Sequence, residues 1–193
     1  MEHIEKSIDV DAPLSTVYNQ WTQFEDFPKF MEGVIAVRQL DDKRLHWKAK
    51  VAGKEKEWNA EIFEQIPDER IAWRSTSGIL NTGRVSFQSL GPSKTRVNLK
   101  INYDPEGFIE NIGDALGVVS MRVQGDLNRF KEYIQARHLE TGGWRGEIHG
   151  REVQPETANA SALNPSQPRS QRLQNDTTSP VNVANQNASG KLG

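Results

Sequence analysis

Cysteine is absent from this 193-residue chain. Its absence excludes a disulfide scaffold, a thiolate zinc site, an iron–sulfur cluster and a cysteine nucleophile, and it suits a reducing compartment. An excess of one charge is also missing: 24 Lys and Arg stand against 26 Asp and Glu, a net of −2. Nucleic-acid binders usually carry a strong basic excess, so no nucleic-acid partner is expected. No apolar run approaches the roughly 20 residues that span a bilayer, so no transmembrane segment is expected. The start, Met1-Glu2-His3, lacks the basic-then-apolar pattern of a signal peptide. A cytoplasmic protein is the reading. Neither a P-loop, a G-x-S-x-G elbow nor a dinucleotide fingerprint after a strand is present. The 4 histidines (3, 46, 138, 149) share no i, i+4 spacing, so neither a metal site nor a cofactor is expected.

Aromatic residues are missing from one part of the chain. All of them lie at or before Trp144. From Glu147 to Gly193 the chain is rich in Asn, Gln, Ser and Thr, with prolines at 155, 165, 168 and 180. Such a segment buries too little apolar area to offset an ordering cost of roughly 1–2 kcal/mol per residue. The composition predicts a folded domain over 1–146 and a disordered tail over 147–193.

Within 1–146 the patterns are distinct. Ile4–Val10 alternates as a strand. Asp11-Ala12-Pro13 then punctuates, with Asp11 a plausible N-cap. Leu14, Val17, Tyr18 and Trp21 form one helical stripe. A second short helix or turn holds Phe24, Phe27, Phe30 and Met31. After Gly33 the period changes to two.

The passage 44–62 specifies its own pairing. With Ala52-Gly53 as the turn, Lys50 faces Glu55, Lys48 faces Glu57 and Arg44 faces Glu61. On the other face Trp47 meets Trp58 and Leu45 meets Ala60. A one-residue slip would set Trp47 against a glutamate, so side-chain matching selects the register. Pro67-Asp68 starts another turn, placing Ile62 opposite Trp73 and Glu61 opposite Arg74. A further hairpin around Gly91-Pro92 sets Val85 and Phe87 against Val97, Leu99 and Ile101 on the apolar face. A long helix over 108–139 follows, with an apolar stripe at 109, 112, 116, 119, 123, 127, 130 and 134. Glycines at 107, 113, 117 and 125 weaken its first half; the G-x-x-x-G of 113 and 117 suits close approach to sheet or ligand. The fold class is α+β: a curved antiparallel sheet wrapped around one long C-terminal helix, with two short helices after the first strand.

These residues resemble the START-like, helix-grip superfamily, and within it the coenzyme Q-binding and polyketide cyclase/dehydrase group. Four passages carry the resemblance: Val10–Pro13 with Val17-Tyr18, Trp21 and Phe24–Met31; His46-Trp47 with Glu57–Ile62; Glu69–Ser75 with Gly83–Phe87; and Asp126–Glu132. The resemblance implies a cavity between sheet and helix for a lipid, an isoprenoid quinone or a polyketide-like molecule, held by a carrier or chaperone. The alternative is an aromatase/cyclase or dehydratase working in the same cavity without metal or nucleotide; catalysis is the less favoured reading.

The candidate ligand-binding residues are Tyr18, Phe30, Met31, Trp47, Trp58, Trp73, Phe87, Leu99, Tyr103, Leu116, Val119 and Val123. The tryptophans serve equally as cavity wall or as plain core. Asp126 either pairs with Arg122 or Arg129 or, if buried, acts as a general acid. Ser75–Gly83, with Ile79 and Leu80 at its tip, is either a lid or a packed turn. The basic cluster Lys43, Arg44, Lys48, Lys50, Lys54 and Lys56 offers transient contact with an anionic membrane surface, although three of its members already face acids. Lys54 and Lys56 point inward by parity.

Overall fold

The computed structural model describes residues 1–51, 53–105 and 115–154. All of these belong to one unit spanning Met1–Thr157. Ala52 of the expected turn, the expected helical stretch 108–114 with Ile109, Ile112 and Gly113, Gly107 just before it, and the tail from 155 onward lie outside the described residues.

The chain opens with β1 (Glu2–Val10), α1 (Leu14–Trp21) and a 3-10 turn of helix (Phe24–Lys29). It continues through β2 (Val34–Gln39), β3 (Arg44–Val51), β4 (Lys54–Ile66), β5 (Arg70–Ser77), β6 (Asn81–Gly91) and β7 (Lys94–Tyr103). The long helix α2 (Ala115–Arg137) comes next, followed by short strands β8 (Glu147–His149) and β9 (Glu152–Gln154). The sheet order is β1-β7-β6-β5-β4-β3-β2, antiparallel throughout, so only the first strand travels to the far edge. The expected helix-grip arrangement is what the chain forms.

The β3–β4 register is the one the side chains select: Trp47 opposite Trp58, Lys48 opposite Glu57, Arg44 opposite Glu61. The two indoles stack at 5.7 Å with their planes 8° apart. Ile62 meets Trp73 and Glu61 meets Arg74, also as expected. Beyond Ile62 the register shifts by one, because Phe63 is bulged out of the ladder. The bulge has its own partners: Gly150 N–H donates to the Phe63 carbonyl at 2.8 Å, and the Arg74 guanidinium lies over the Phe63 ring. Asp11 does not cap α1. Pro13 holds the N-cap position with no side-chain cap, and Asp11 N–H instead donates to Gln135 Oε1 at 3.0 Å.

The residues 147–154 depart from the expected tail. They form the β8–β9 hairpin, and β8 pairs with the end of β4 at Glu64 and Gln65. Ile148 is fully buried. The hairpin lacks aromatics, yet β4 outruns β3 and leaves an open edge that needs hydrogen-bond partners. The segment between α2 and β8 is also tied down. Arg145 clamps Asp68 through two bonds of 3.1 and 2.6 Å and reaches Asn19 at 2.9 Å. Buried Gln20 bonds Thr141 through both ends of its amide.

The core is sealed by the second half of α2. Leu127, Phe130 and Ile134 are at most 1% exposed. Phe130 packs edge-on against Trp21 at 4.8 Å and Phe30 at 5.2 Å. On the buried face of α1, Tyr18 is fully buried and its hydroxyl accepts from Gln65 Nε2 at 3.0 Å. Burial, partly offset by the Gln65 bond and the Arg145 charge, pushes the Tyr18 phenol up to about 12.

Two expectations follow. Ile148→Ala should cost about 2–5 kcal/mol of unfolding free energy in urea, the range for emptying a buried aliphatic site; a change near zero would return 147–154 to the tail. Tyr18 is protonated in both states below pH 10, and above it the unfolded chain ionises first. The stability Tyr18 contributes is therefore present below pH 10 and lost as the pH rises toward 12, by roughly 2–3 kcal/mol. Tyr18→Phe, compared with wild type at pH 9 and pH 12, should remove that portion of the loss.

Candidate functional site

A cavity of about 180 Å³ lies between the concave face of the sheet and the first described turns of α2. It exists because the sheet curves away from a helix whose apolar contact is concentrated downstream at 127–134. The sheet contributes Leu45, Trp47 and Ala49 from β3, Trp58 and Ile62 from β4, and Ile71 and Trp73 from β5. Farther across, Asn81, Leu99, Ile101 and Tyr103 complete the floor. Trp21, Phe24 and Phe27 close one side, and Val119, Arg122, Val123 and Asp126 of α2 the other. Met31–Val34 forms part of the rim, where exposed Glu32 and Lys50 mark the opening to solvent.

The size constrains what fits. An apolar cavity near 150 Å³ holds a benzene ring, whereas pockets that enclose a drug-sized molecule run to roughly 300–1,000 Å³. This cavity therefore encloses one ring system or a short chain, and anything longer must extend through the mouth.

Trp73 owes its position in the wall to Gly83, its partner across β5 and β6. A Cβ on Gly83 would lie 2.1 Å from the indole Cζ2 and 2.6 Å from Cε2 and Cη2. The ring thus lies flat on bare backbone. Its Nε1–H donates to Asn81 Oδ1 at 3.3 Å, and Asn81 is held in turn by the Ser75 hydroxyl and the Ile79 carbonyl.

Of the residues singled out from the sequence, Met31, Trp47, Trp58, Trp73, Leu99, Tyr103, Val119 and Val123 line this cavity. Tyr18, Phe30, Phe87 and Leu116 do not. Tyr18 of α1 and Phe87 of β6 pack edge-on against each other at 5.5 Å. Phe30 turns toward Phe130 and Tyr133. Leu116 is 40% exposed, so the stripe of α2 leaves the core before reaching it. Helical spacing alone does not show where a stripe runs off the sheet. By sequence Trp21, Phe24 and Phe27 belong only to short helices. Their proximity to Trp47, with Phe27 at 5.7 Å, comes from tertiary packing.

Asp126 sits at the mouth, its side chain 15% exposed. Its Oδ1 accepts from Arg129 Nη2 at 2.5 Å and from Glu32 N–H at 2.8 Å. Burial raises its carboxyl above the usual carboxylate range, against the pull of Glu32 N–H and Arg129. Both readings of this residue thus meet in one side chain, ion-paired and partly buried. Arg122, whose charge also pulls the Asp126 carboxyl down, makes no such pair among the described residues; it donates to the Lys50 carbonyl at 3.2 Å.

Of Ser75–Gly83, Asn81 lines the cavity from the start of β6, and the tip is a packed turn rather than a flap. Ile79 is buried while Leu80 is 57% exposed. In the basic cluster, Lys43 bonds the Gly150 carbonyl, Arg44 pairs with Asp41, and Lys48 lies between Glu55 and Glu57. His46 bonds Asn59 across the strands, on the face that carries Lys48 and Glu57. Among the described residues no cluster of His, Asp or Glu has the geometry to hold a metal ion. No described helix is long and apolar enough to cross a membrane.

A curved sheet gripping one long helix over an aromatic cavity defines the START-like class of domain. The family is narrower than the class. The model of the polyketide cyclase/dehydrase and lipid transport family matches residues 10–132, and the chain belongs to that family. It is 48% identical over 149 residues to an uncharacterized 17.2 kDa protein of Streptomyces lincolnensis, covering 77% of this chain and 99% of that one. Among solved structures it is similar to the Zhui aromatase/cyclase of Streptomyces sp. R1128, with a TM-score of 0.60 and 18% identity, over 74% of this chain and 98% of the other. A START superfamily protein of Mycobacterium smegmatis matches with a TM-score of 0.56 and 14% identity, over 70% and 95%. At such identities the structural likeness shows the fold.

Gly83→Ala should force the Trp73 indole off the sheet and into the cavity. The near-ultraviolet circular dichroism and the Trp73 indole resonance should both change, with far-ultraviolet signal retained. An unaltered Trp73 resonance would show that the ring has other room.

Proposed function

We propose that this protein binds a hydrophobic small molecule in the cavity, as a carrier or chaperone. One observation carries the reading: stacked and flat-lying indoles line an apolar cavity that the described side chains leave open. Core packing normally leaves few voids larger than a water molecule, and an empty space costs stability in proportion to its volume. A void kept open by glycine-seated Trp73 and the rigid Trp47–Trp58 pair is consistent with selection for an occupant. The occupant class is a lipid, an isoprenoid quinone or a polyketide-like compound of which one ring or short chain is enclosed.

A cyclase or dehydratase is the second reading, favoured by Asp126, whose carboxyl lines the cavity and is shifted upward. A general acid must reach the reacting atom, and Asp126 Oδ1 is already shared between Arg129 and Glu32 N–H. Binding therefore stands first.

Solvent extraction of the purified protein followed by mass spectrometry should release a stoichiometric hydrophobic compound. Titration with the neutral dye N-phenyl-1-naphthylamine should give one saturable site. Ala49→Phe, which fills the cavity from β3, should weaken dye binding by tenfold or more at an overpacking cost of about 1–3 kcal/mol. A folded wild-type protein that neither carries a compound nor takes up the dye would overturn the reading.

A further inference from the structure

The mouth of the cavity holds an unequal set of charges. Glu32, Lys50, Arg122 and Asp126 line it, and Arg129, one turn along α2, pairs with two of them. Arg129 serves both carboxylates: its Nη2 lies 2.5 Å from Asp126 Oδ1 and 3.4 Å from Glu32 Oε2. Its Nε–H donates to the Phe30 carbonyl at 2.9 Å, which fixes it toward that side. Arg122 and Lys50 are left. Among the described residues no carboxylate lies within 4 Å of either cationic group.

Arg122 is the better placed of the two. It is half-buried, whereas Lys50 is exposed. Its only hydrogen bond among the described residues is the long one from Nη1 to the Lys50 carbonyl, at 3.2 Å. A guanidinium carries five N–H donors in a planar fork, so four find no acceptor among the described residues. The backbone is shaped to seat this fork. Gly33 has φ +83°, and a Cβ there would lie 2.5 Å from Arg122 Nη1 and 2.8 Å from the Lys50 carbonyl oxygen. A residue with a side chain would displace the guanidinium from the rim.

We propose that Arg122 is the anion-recognising residue of the cavity, and that the ligand is an amphiphile whose apolar part enters the cavity and whose oxyanion head, carboxylate or phosphate, meets Arg122 at the mouth. The proposal rests on the ligand-binding reading and narrows its substrate class. The fork geometry matches both heads in two-point fashion. The small enclosed volume fits as well: a ligand too long for it must bring its polar end to the rim. Glu32 and Asp126, both held by Arg129, face the same rim and select against a cationic head.

The test uses decanoate, decyl phosphate, decanol and decylamine, which share one tail and differ in head. Each displaces N-phenyl-1-naphthylamine from the full-length protein. In wild type, decanoate and decyl phosphate should compete about tenfold better than decanol, and decylamine worse than decanol. In Arg122→Gln the preference for the two anions over decanol, taken as a ratio within the variant, should fall to about one; Arg122→Lys should retain part of the preference. Dye binding with no preference for anions in wild type would overturn the inference and leave the cavity reading standing, without recourse to any variant. A preference that survives in Arg122→Gln would remove Arg122 from the role. Absence of dye binding in wild type would overturn the reading and the inference with it. A difference between decanoate and decyl phosphate identifies which oxyanion the site prefers.

Discussion

The row of Leu127, Phe130 and Ile134 on α2 is the contact from which the rest of the arrangement follows. It presses the second half of the helix onto Trp21 and Phe30 and leaves no space there. A straight helix cannot follow a sheet that curves away from it. Toward its start, α2 carries Gly117, half-buried Val119 and exposed Leu116 instead of large buried residues. The sheet meanwhile presents tryptophans at that end. Large side chains on one wall and small or absent ones on the other would ordinarily produce collapse. Here the Trp47–Trp58 stack and the seat of Trp73 on Gly83 hold the wall apart from the helix.

The same division organises the polar groups. Away from the cavity, buried polar groups such as Gln20, Gln65 and Thr95 have partners, and the segment after α2 is fastened to α1 and to the β4–β5 turn. At the mouth, charges are instead concentrated on short stretches of α2 and the Met31–Val34 rim. Charged groups beside low-dielectric walls interact more strongly than in water. Burial already shows its effect in the raised carboxyl of Asp126.

Much of this was legible in the sequence because β-strands alternate strictly. Trp47 could face Trp58 only if Lys48 faced Glu57, so one pattern determined both sides of the hairpin. The α2 stripe gave the buried row directly. What escaped was set by events without period. The bulge at Phe63 shifts the β4–β5 register by one and is stabilised from Gly150, almost ninety residues onward. The β8–β9 hairpin has a tail-like composition and is ordered by the open edge of β4 rather than by its own apolar content. Leu116 continues the stripe by spacing but extends past the sheet. Arg122 and Arg129 are equivalent by spacing to Asp126, and only the position of Gly33 and of the Phe30 carbonyl separates them.

The five tryptophans provide the most direct measurement of the central claim. Trp21, Trp47, Trp58 and Trp73 line the cavity, and Trp144 does not. With the chain labelled with nitrogen-15, the indole N–H resonances can be followed while N-phenyl-1-naphthylamine is added. The account predicts saturable shifts of the four cavity indoles at a common dissociation constant, with Trp144 stationary. Shifts confined to Trp144, or no shift in any indole of the folded protein, would contradict it.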